Sequence, residues 1–175
     1  MPTPYIKQTW SDDSLTFPVT AARMTVIEQG IYDAHYRPVC RAYATVVQAI
    51  PNNVETTITL SATRFDTDTI FTPSRLTAHT AGYYQITAQL TLASASVAAA
   101  RAVRIRLNGA TYIGVEEKTT TAASQFTHMS CSTLYLLSAG DYVEMRCSHA
   151  IGAPCNTYVG VTYTPEFMMA LVSYA

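Results

Sequence analysis

Charge is what this sequence has least of. Lys, Arg, Asp and Glu make up 13% of its 175 residues, where about a quarter is usual. They nearly cancel, leaving a net charge of −1. That balance excludes a basic footprint for nucleic acid or for an anionic membrane surface. No apolar run approaches the ~18 residues a membrane-spanning helix needs. Met1 to Asp13 lacks a basic segment followed by an apolar one, so no secretory signal is expected and synthesis is placed in the cytoplasm. The four cysteines, Cys40, Cys131, Cys147 and Cys155, are scattered without a C-x-x-C pair. Buried thiols acting as small hydrophobes are the expectation. His149, just beyond Cys147, is the only hint of a metal-ligating pair. Catalytic motifs are missing too. His35, His79, His128 and His149 have no nucleophile or carboxylate at motif spacing, and there is no G-x-S-x-G, glycine-rich phosphate loop or H-E-x-x-H. A non-enzymatic protein without a cofactor is expected.

What the chain has in abundance is β-pattern. In Tyr83 to Leu92 the residues Tyr84, Ile86, Ala88, Leu90 and Leu92 fall on one face of an extended chain. Tyr83, Gln85, Thr87, Gln89 and Thr91 fall on the other. This is one long strand, greasy on one side and polar on the other, launched by the turn at Ala81-Gly82. Period-two runs recur at Cys40 to Gln48, Val54 to Leu60, Ser74 to Ala78, Val103 to Leu107, Ala110 to Val115, Phe126 to Leu137, Tyr142 to His149 and Tyr158 to Tyr163. Asn108-Gly109 is the strongest hairpin signal among them. Arg64 to Pro73, Ala93 to Ala100, Glu116 to Ser124 and Ile151 to Asn156 read as loops. Phe167 to Tyr174 differs because it is apolar on both faces and therefore needs two walls. The prediction is an all-β, antiparallel sandwich of about ten strands with jelly-roll connections.

Residues 1–37 have another character. Beyond a polar lead-in with the single Trp10 and Phe17, the residues Met24, Ile27, Ile31 and Ala34 recur as one stripe of a helix. Thr20 is the expected N-cap and Pro38 the stop. Gly30 weakens that helix by about 1 kcal/mol relative to Ala, so the segment must dock on something. The chain divides into an arm and helix (1–37) and a β head (38–175).

Four pieces in order carry a resemblance. They are Arg75-Leu76-Thr77-Ala78 followed by Ala81-Gly82-Tyr83-Tyr84-x-Ile86, then Arg104-x-Arg106-x-Asn108-Gly109. After these come Leu134-x-Leu136 with Gly140-Asp141-x-Val143-x-Met145, and finally Phe167 with Leu171. From about Val39 to Ala175 the chain resembles the complement-one-q globular head, a branch of the tumour-necrosis-factor-like jelly rolls. The resemblance implies a homotrimeric binding head without enzymatic activity, its terminal strands packed about a threefold axis. Tyr43, Tyr84, Tyr135, Phe167 and Met169 exceed what one sandwich core needs, and some are expected at the trimer interface. The pieces Tyr5-x-Lys7-Gln8-Thr9-Trp10 and Pro18 to Ile31 resemble the lead-in of bacteriophage structural and appendage proteins. The two resemblances together imply a virion surface protein, whether capsid decoration, head fibre or minor tail component. Trp10, Phe17, Met24, Ile27 and Ile31 would anchor it to capsid or tail proteins. A head that binds a host surface glycan or protein, as an adhesin, is the alternative. Asp66 and Asp68 offer either two calcium ligands or a capped turn. Arg104 and Arg106 read as a solvated strand face.

Overall fold

The structure, a computed structural model, describes residues 20–95, 97–120, 125–161 and 163–175. Among the described residues there is one helix, α1 (Ala21–His35), which starts where the Thr20 hydroxyl accepts the Arg23 amide at 3.3 Å and ends ahead of Pro38. Thirteen strands follow. The first six are β1 (Val39–Tyr43), β2 (Ala49–Ile50), β3 (Thr56–Thr57), β4 (Ala62–Asp66), β5 (Phe71–Thr72) and β6 (Arg75–Thr77). The long ones are β7 (Gly82–Ala95), β8 (Ala99–Leu107), β9 (Thr111–Thr120), β10 (Gln125–Leu137) and β11 (Tyr142–His149). β12 (Cys155–Asn156) and β13 (Glu166–Tyr174) complete the chain.

Two antiparallel sheets face each other. One has five strands in the order β10-β7-β13-β1-β4. The other runs β5-β6-β11-β8-β9, with β3 added against β11, while β2 and β12 form a small separate pair. The chain crosses between sheets at almost every long connection, which makes the expected antiparallel jelly-roll sandwich. β7 shows why the pattern works. Tyr84, Ile86, Ala88, Leu90 and Leu92 are all buried between the sheets, as their alternation requires. β13 and β10 flank β7 and supply Phe167, Met169, Leu171, Met129, Cys131 and Leu137 to the same core. Opposite lie Val103 and Ile105 from β8, and Val143, Met145 and Cys147 from β11. The hydroxyl of buried Tyr84 donates to the Thr80 carbonyl at 2.8 Å, so its burial leaves no polar atom stranded.

The β8–β9 hairpin turns where Asn108-Gly109 predicts. Both residues have positive φ, +50° and +66°, which asparagine and glycine tolerate best. Gly82 opens β7 against a bulge of β13. A Cβ there would lie 2.5 Å from both the Leu171 Cδ1 and the Ser173 carbonyl, so only glycine lets the strands meet.

Several expectations are corrected. Ala62–Asp66, placed in or beside a loop, is edge strand β4; its Arg64 is the extra residue of a bulge opposite Arg41 and Ala42. Glu116 to Thr120 continues β9 as a polar strand. Among the described residues of the expected strand Tyr158 to Tyr163 none is in a strand, and an isolated bridge pairs the preceding Thr157 with Leu92. The helical stripe is also displaced. Gly30 and Asp33 are the buried residues of α1, whereas Met24, Ile31 and Ala34 are exposed and Ile27 is half-buried. Gly30 is thus buried where larger residues of α1 stay in solvent.

Candidate functional site

The two outer faces of the sandwich have unlike chemistry. On the six-stranded sheet the outward residues are charged. Glu55 lies 3.5 Å from Arg104 and 3.6 Å from both Arg106 and Arg146, and it accepts the Tyr112 hydroxyl at 2.7 Å. Glu144 pairs with Arg75 at 3.5 Å and with Arg146 at 3.8 Å, and Glu117 with Arg104 at 3.3 Å. Alternation along β8 and β11 puts these groups outward, as the reading of Arg104 and Arg106 as a solvated face requires.

On the five-stranded sheet the outward residues are apolar or self-satisfied. Leu134 is 57% exposed, Leu136 49% and Tyr83 45%. They sit together, because Leu136 is opposite Tyr83 and Leu134 opposite Gln85. Across β7 the face continues through Ala170, opposite Gln85, and Met168, opposite Thr87. The polar side of β7 is already hydrogen-bonded within the sheet. Gln85 donates to the Ser132 hydroxyl at 2.6 Å, Thr87 pairs with the same hydroxyl at 2.8 Å, and Gln89 donates to Glu166 at 3.1 Å. The charges set into this face form one closed group. Glu166, only 3% exposed, accepts Nε of Arg41 and Nε of Arg64, each at 2.6 Å. Arg64 in turn lies 4.8 Å over the ring of Tyr43. Leucines in solvent beside amides and hydroxyls that already have partners make a face that costs little to desolvate.

The expected interface residues divide. Tyr84, Phe167 and Met169 are fully buried in the single chain, and Tyr135 packs against the same core. The inner wall needed by Phe167 to Tyr174 is therefore the chain's own second sheet. Tyr43 remains on the outward face. Leu134 and Leu136, which the sequence offered as part of the resemblance and not as interface residues, lie on the same face. Among the anchoring residues, Met24 and Ile31 are exposed on α1, Ile27 is half-buried, and Trp10 and Phe17 lie outside the described residues.

At the end of the five-stranded sheet remote from α1 is a cluster of rings. Phe126 contacts Tyr158 at 4.6 Å between centroids, Tyr158 meets Tyr163 at 6.4 Å, and Tyr163 lies 4.4 Å from His128. These residues come from β10 and from the segment before β13, and no spacing in the sequence unites them. The other sequence candidates have structural tasks. Asp66 caps a turn by accepting amides of Asp68, Ile70 and Phe71 at 2.9–3.3 Å. Its neighbour Asp68 lies 3.5 Å from His79. His149 donates through Nε2 to the Ile50 carbonyl at 2.9 Å. All four cysteines are free and buried. Burial pushes the thiols of Cys40 and Cys147 up to about 12 and that of Cys131 to about 11, so they are neutral and unreactive at ordinary pH.

No protein-family model matches the sequence, and no curated protein matches it at the level of sequence. Solved structures do match. The globular domain of a zebrafish complement 1qA protein aligns at a TM-score of 0.59 and 13% identity, covering 79% of this chain and 99% of that one. Murine APRIL, in a crystal structure at pH 5.0, aligns at a TM-score of 0.57 and 10% identity, covering 78% and 99%. The fold is therefore the jelly roll shared by these two proteins.

Proposed function

We propose that this chain is a non-enzymatic virion structural protein of a bacteriophage: a homotrimeric surface knob anchored to the particle through residues 1–37, which decorates and stabilises the capsid. The observation that carries the trimer is the Tyr83 end of the outward face of the five-stranded sheet, where Leu134, Leu136, Tyr83, Ala170 and Met168 lie on neighbouring strands. Copies of the chain packed through this end of the face hide the leucines, while the Thr91 end with its rings and the charged face of the other sheet stay in water. The arm-and-helix resemblance supports the phage assignment. So does α1, whose Met24, Ile31 and Tyr32 are exposed, Ile31 at 65%, and so free for a partner. Three such helices on one trimer bind a repetitive particle with avidity, and no chemistry beyond buried area is needed. The protein is then made in the host cytoplasm and resides on the virion surface.

Deleting residues 1–37 tests the anchoring. The truncated protein is expected to stay a soluble trimer and to stop co-sedimenting with particles; a truncated protein that still decorates them overturns the anchor. A second reading is favoured by the ring cluster at the far end from α1: an adhesin whose head meets a host receptor or glycan. In that case purified protein competes with phage for host cells.

A further inference from the structure

The ring cluster lies on the outward side of the five-stranded sheet, about 30 Å along β7 from the helix end. Tyr174 pairs with Gly82 and holds the Asp33 carbonyl of α1 through its hydroxyl, whereas Thr91 sits beside His128; nine strand residues at ~3.3 Å each separate the two sites. Phe126 and Tyr163 are each about half exposed, 50% and 49%. Two devices hold the cluster in shape. A Cβ on residue 160 would fall 2.7 Å from the Tyr158 ring, so Gly160 lets that ring approach the backbone closely. The Thr91 hydroxyl pairs with His128 Nδ1 at 2.7 Å and orients the imidazole, which packs against Tyr163 at a 49° tilt.

Next to the rings is a cavity of about 400 Å3, lined by Tyr163 and His128 together with Gln89, Glu116, Lys118 and Ser130. Its charges cancel locally. Lys118 Nζ lies 2.9 Å from Glu116 and donates to the His128 carbonyl at 2.7 Å. The cavity therefore presents fixed donors and acceptors with no net charge, beside aromatic faces that carry negative quadrupole.

We propose that this cavity and its rings bind a neutral pyranose, the exposed sugar of a surface polysaccharide or glycan. A pyranose has one face of C–H groups that stacks on an aromatic ring and a rim of hydroxyls that each need a partner. The cluster supplies the first and Gln89, Glu116, Lys118 and Ser130 supply the second. Charged ligands gain nothing from a neutral site, and a purely apolar ligand would strand its polar groups. The volume is that of a small-molecule site. This inference deepens the adhesin reading and rests on it for biological meaning; binding itself is independent of particle and trimer.

The test is saturation-transfer-difference NMR on the full chain with methyl β-galactopyranoside, methyl α-glucopyranoside and methyl N-acetyl-β-glucosaminide, using acyclic sorbitol as control. Ring C–H protons of at least one pyranoside should receive saturation and sorbitol should not. The signal should fall about fivefold or more in Tyr163→Ala and in Phe126→Ala, since aromatic anchors dominate such sites. Tyr112→Ala, a half-exposed tyrosine on the opposite sheet, should leave it unchanged, and melting curves check that each variant is folded. Absence of transfer to all three pyranosides overturns the site, as does a signal that survives both ring variants. Sugar binding by a protein that fails to compete with phage for cells would instead refute the adhesin reading alone.

Discussion

The outer faces of the two sheets differ in how they treat charge. The six-stranded face spreads Arg75, Arg104, Arg106, Arg146, Glu55, Glu117 and Glu144 over its surface, each within 4 Å of an opposite partner. The five-stranded face gathers its ionic groups Arg41, Arg64 and Glu166 into one spot and leaves Leu134, Leu136 and Tyr83 in solvent at its other end. A chain with 13% charged residues has not diluted them evenly. It has given one face a network of ion pairs and the other exposed leucine and tyrosine, the face proposed above for trimer packing. The low charge of the sequence is thus unevenly placed in the fold.

The largest effect expected from breaking this contrast comes from Leu134→Asp with Leu136→Asp. Each leucine, if buried between copies, contributes about 1.5–3 kcal/mol, and a carboxylate there adds a desolvation cost. Light scattering should show the trimer reduced to monomer while the melting of the isolated chain is little changed.

Glu166→Gln comes next. It leaves two guanidiniums facing each other without their carboxylate, at a cost of about 2 kcal/mol once the partial exposure of both arginines is discounted. Differential scanning calorimetry should register a fall of roughly 5 °C at this size. Gly82→Ala should be comparable, since its Cβ meets the Ser173 carbonyl at 2.5 Å and backbone cannot step aside as a flexible side chain can.

Glu55→Gln on the charged face is expected to cost only about 1 kcal/mol, because Glu55 and its three arginines remain partly solvated and another carboxylate stands beside two of them. It should leave the oligomer intact, which sharpens the contrast between faces.

The smallest effect at neutral pH is alkaline. Cys40 and Cys147 are held at about 12 by burial, well above their unfolded values, so the unfolded chain loses protons first as pH rises. Stability should be flat below about pH 8 and should decline between about pH 9 and pH 12. Melting temperatures across that range test the sign.

How much of this was legible in the sequence follows from how each residue earns its position. β7, β11 and the Asn108-Gly109 hairpin were readable because alternation and turn chemistry are local. β4 was not, since an edge strand carrying Arg64 and Asp66 has no hydrophobic alternation to betray it. Glu116 to Thr120 was hidden for the same reason. β13 was read correctly as apolar on two faces, but sequence cannot say which face the chain covers itself. That is why Tyr84, Phe167 and Met169 were expected at an interface and lie in the core, while Leu134 and Leu136 were not singled out. The ring cluster joins residues about thirty positions apart and leaves no local signature.

The most direct test of the account is sedimentation velocity of the full chain at micromolar concentration, beside the Leu134→Asp, Leu136→Asp variant. The account predicts a species of three times the 19.1 kDa chain for the native protein and a folded monomer for the variant. A native protein that sediments as a monomer, or a variant that remains trimeric, would contradict it.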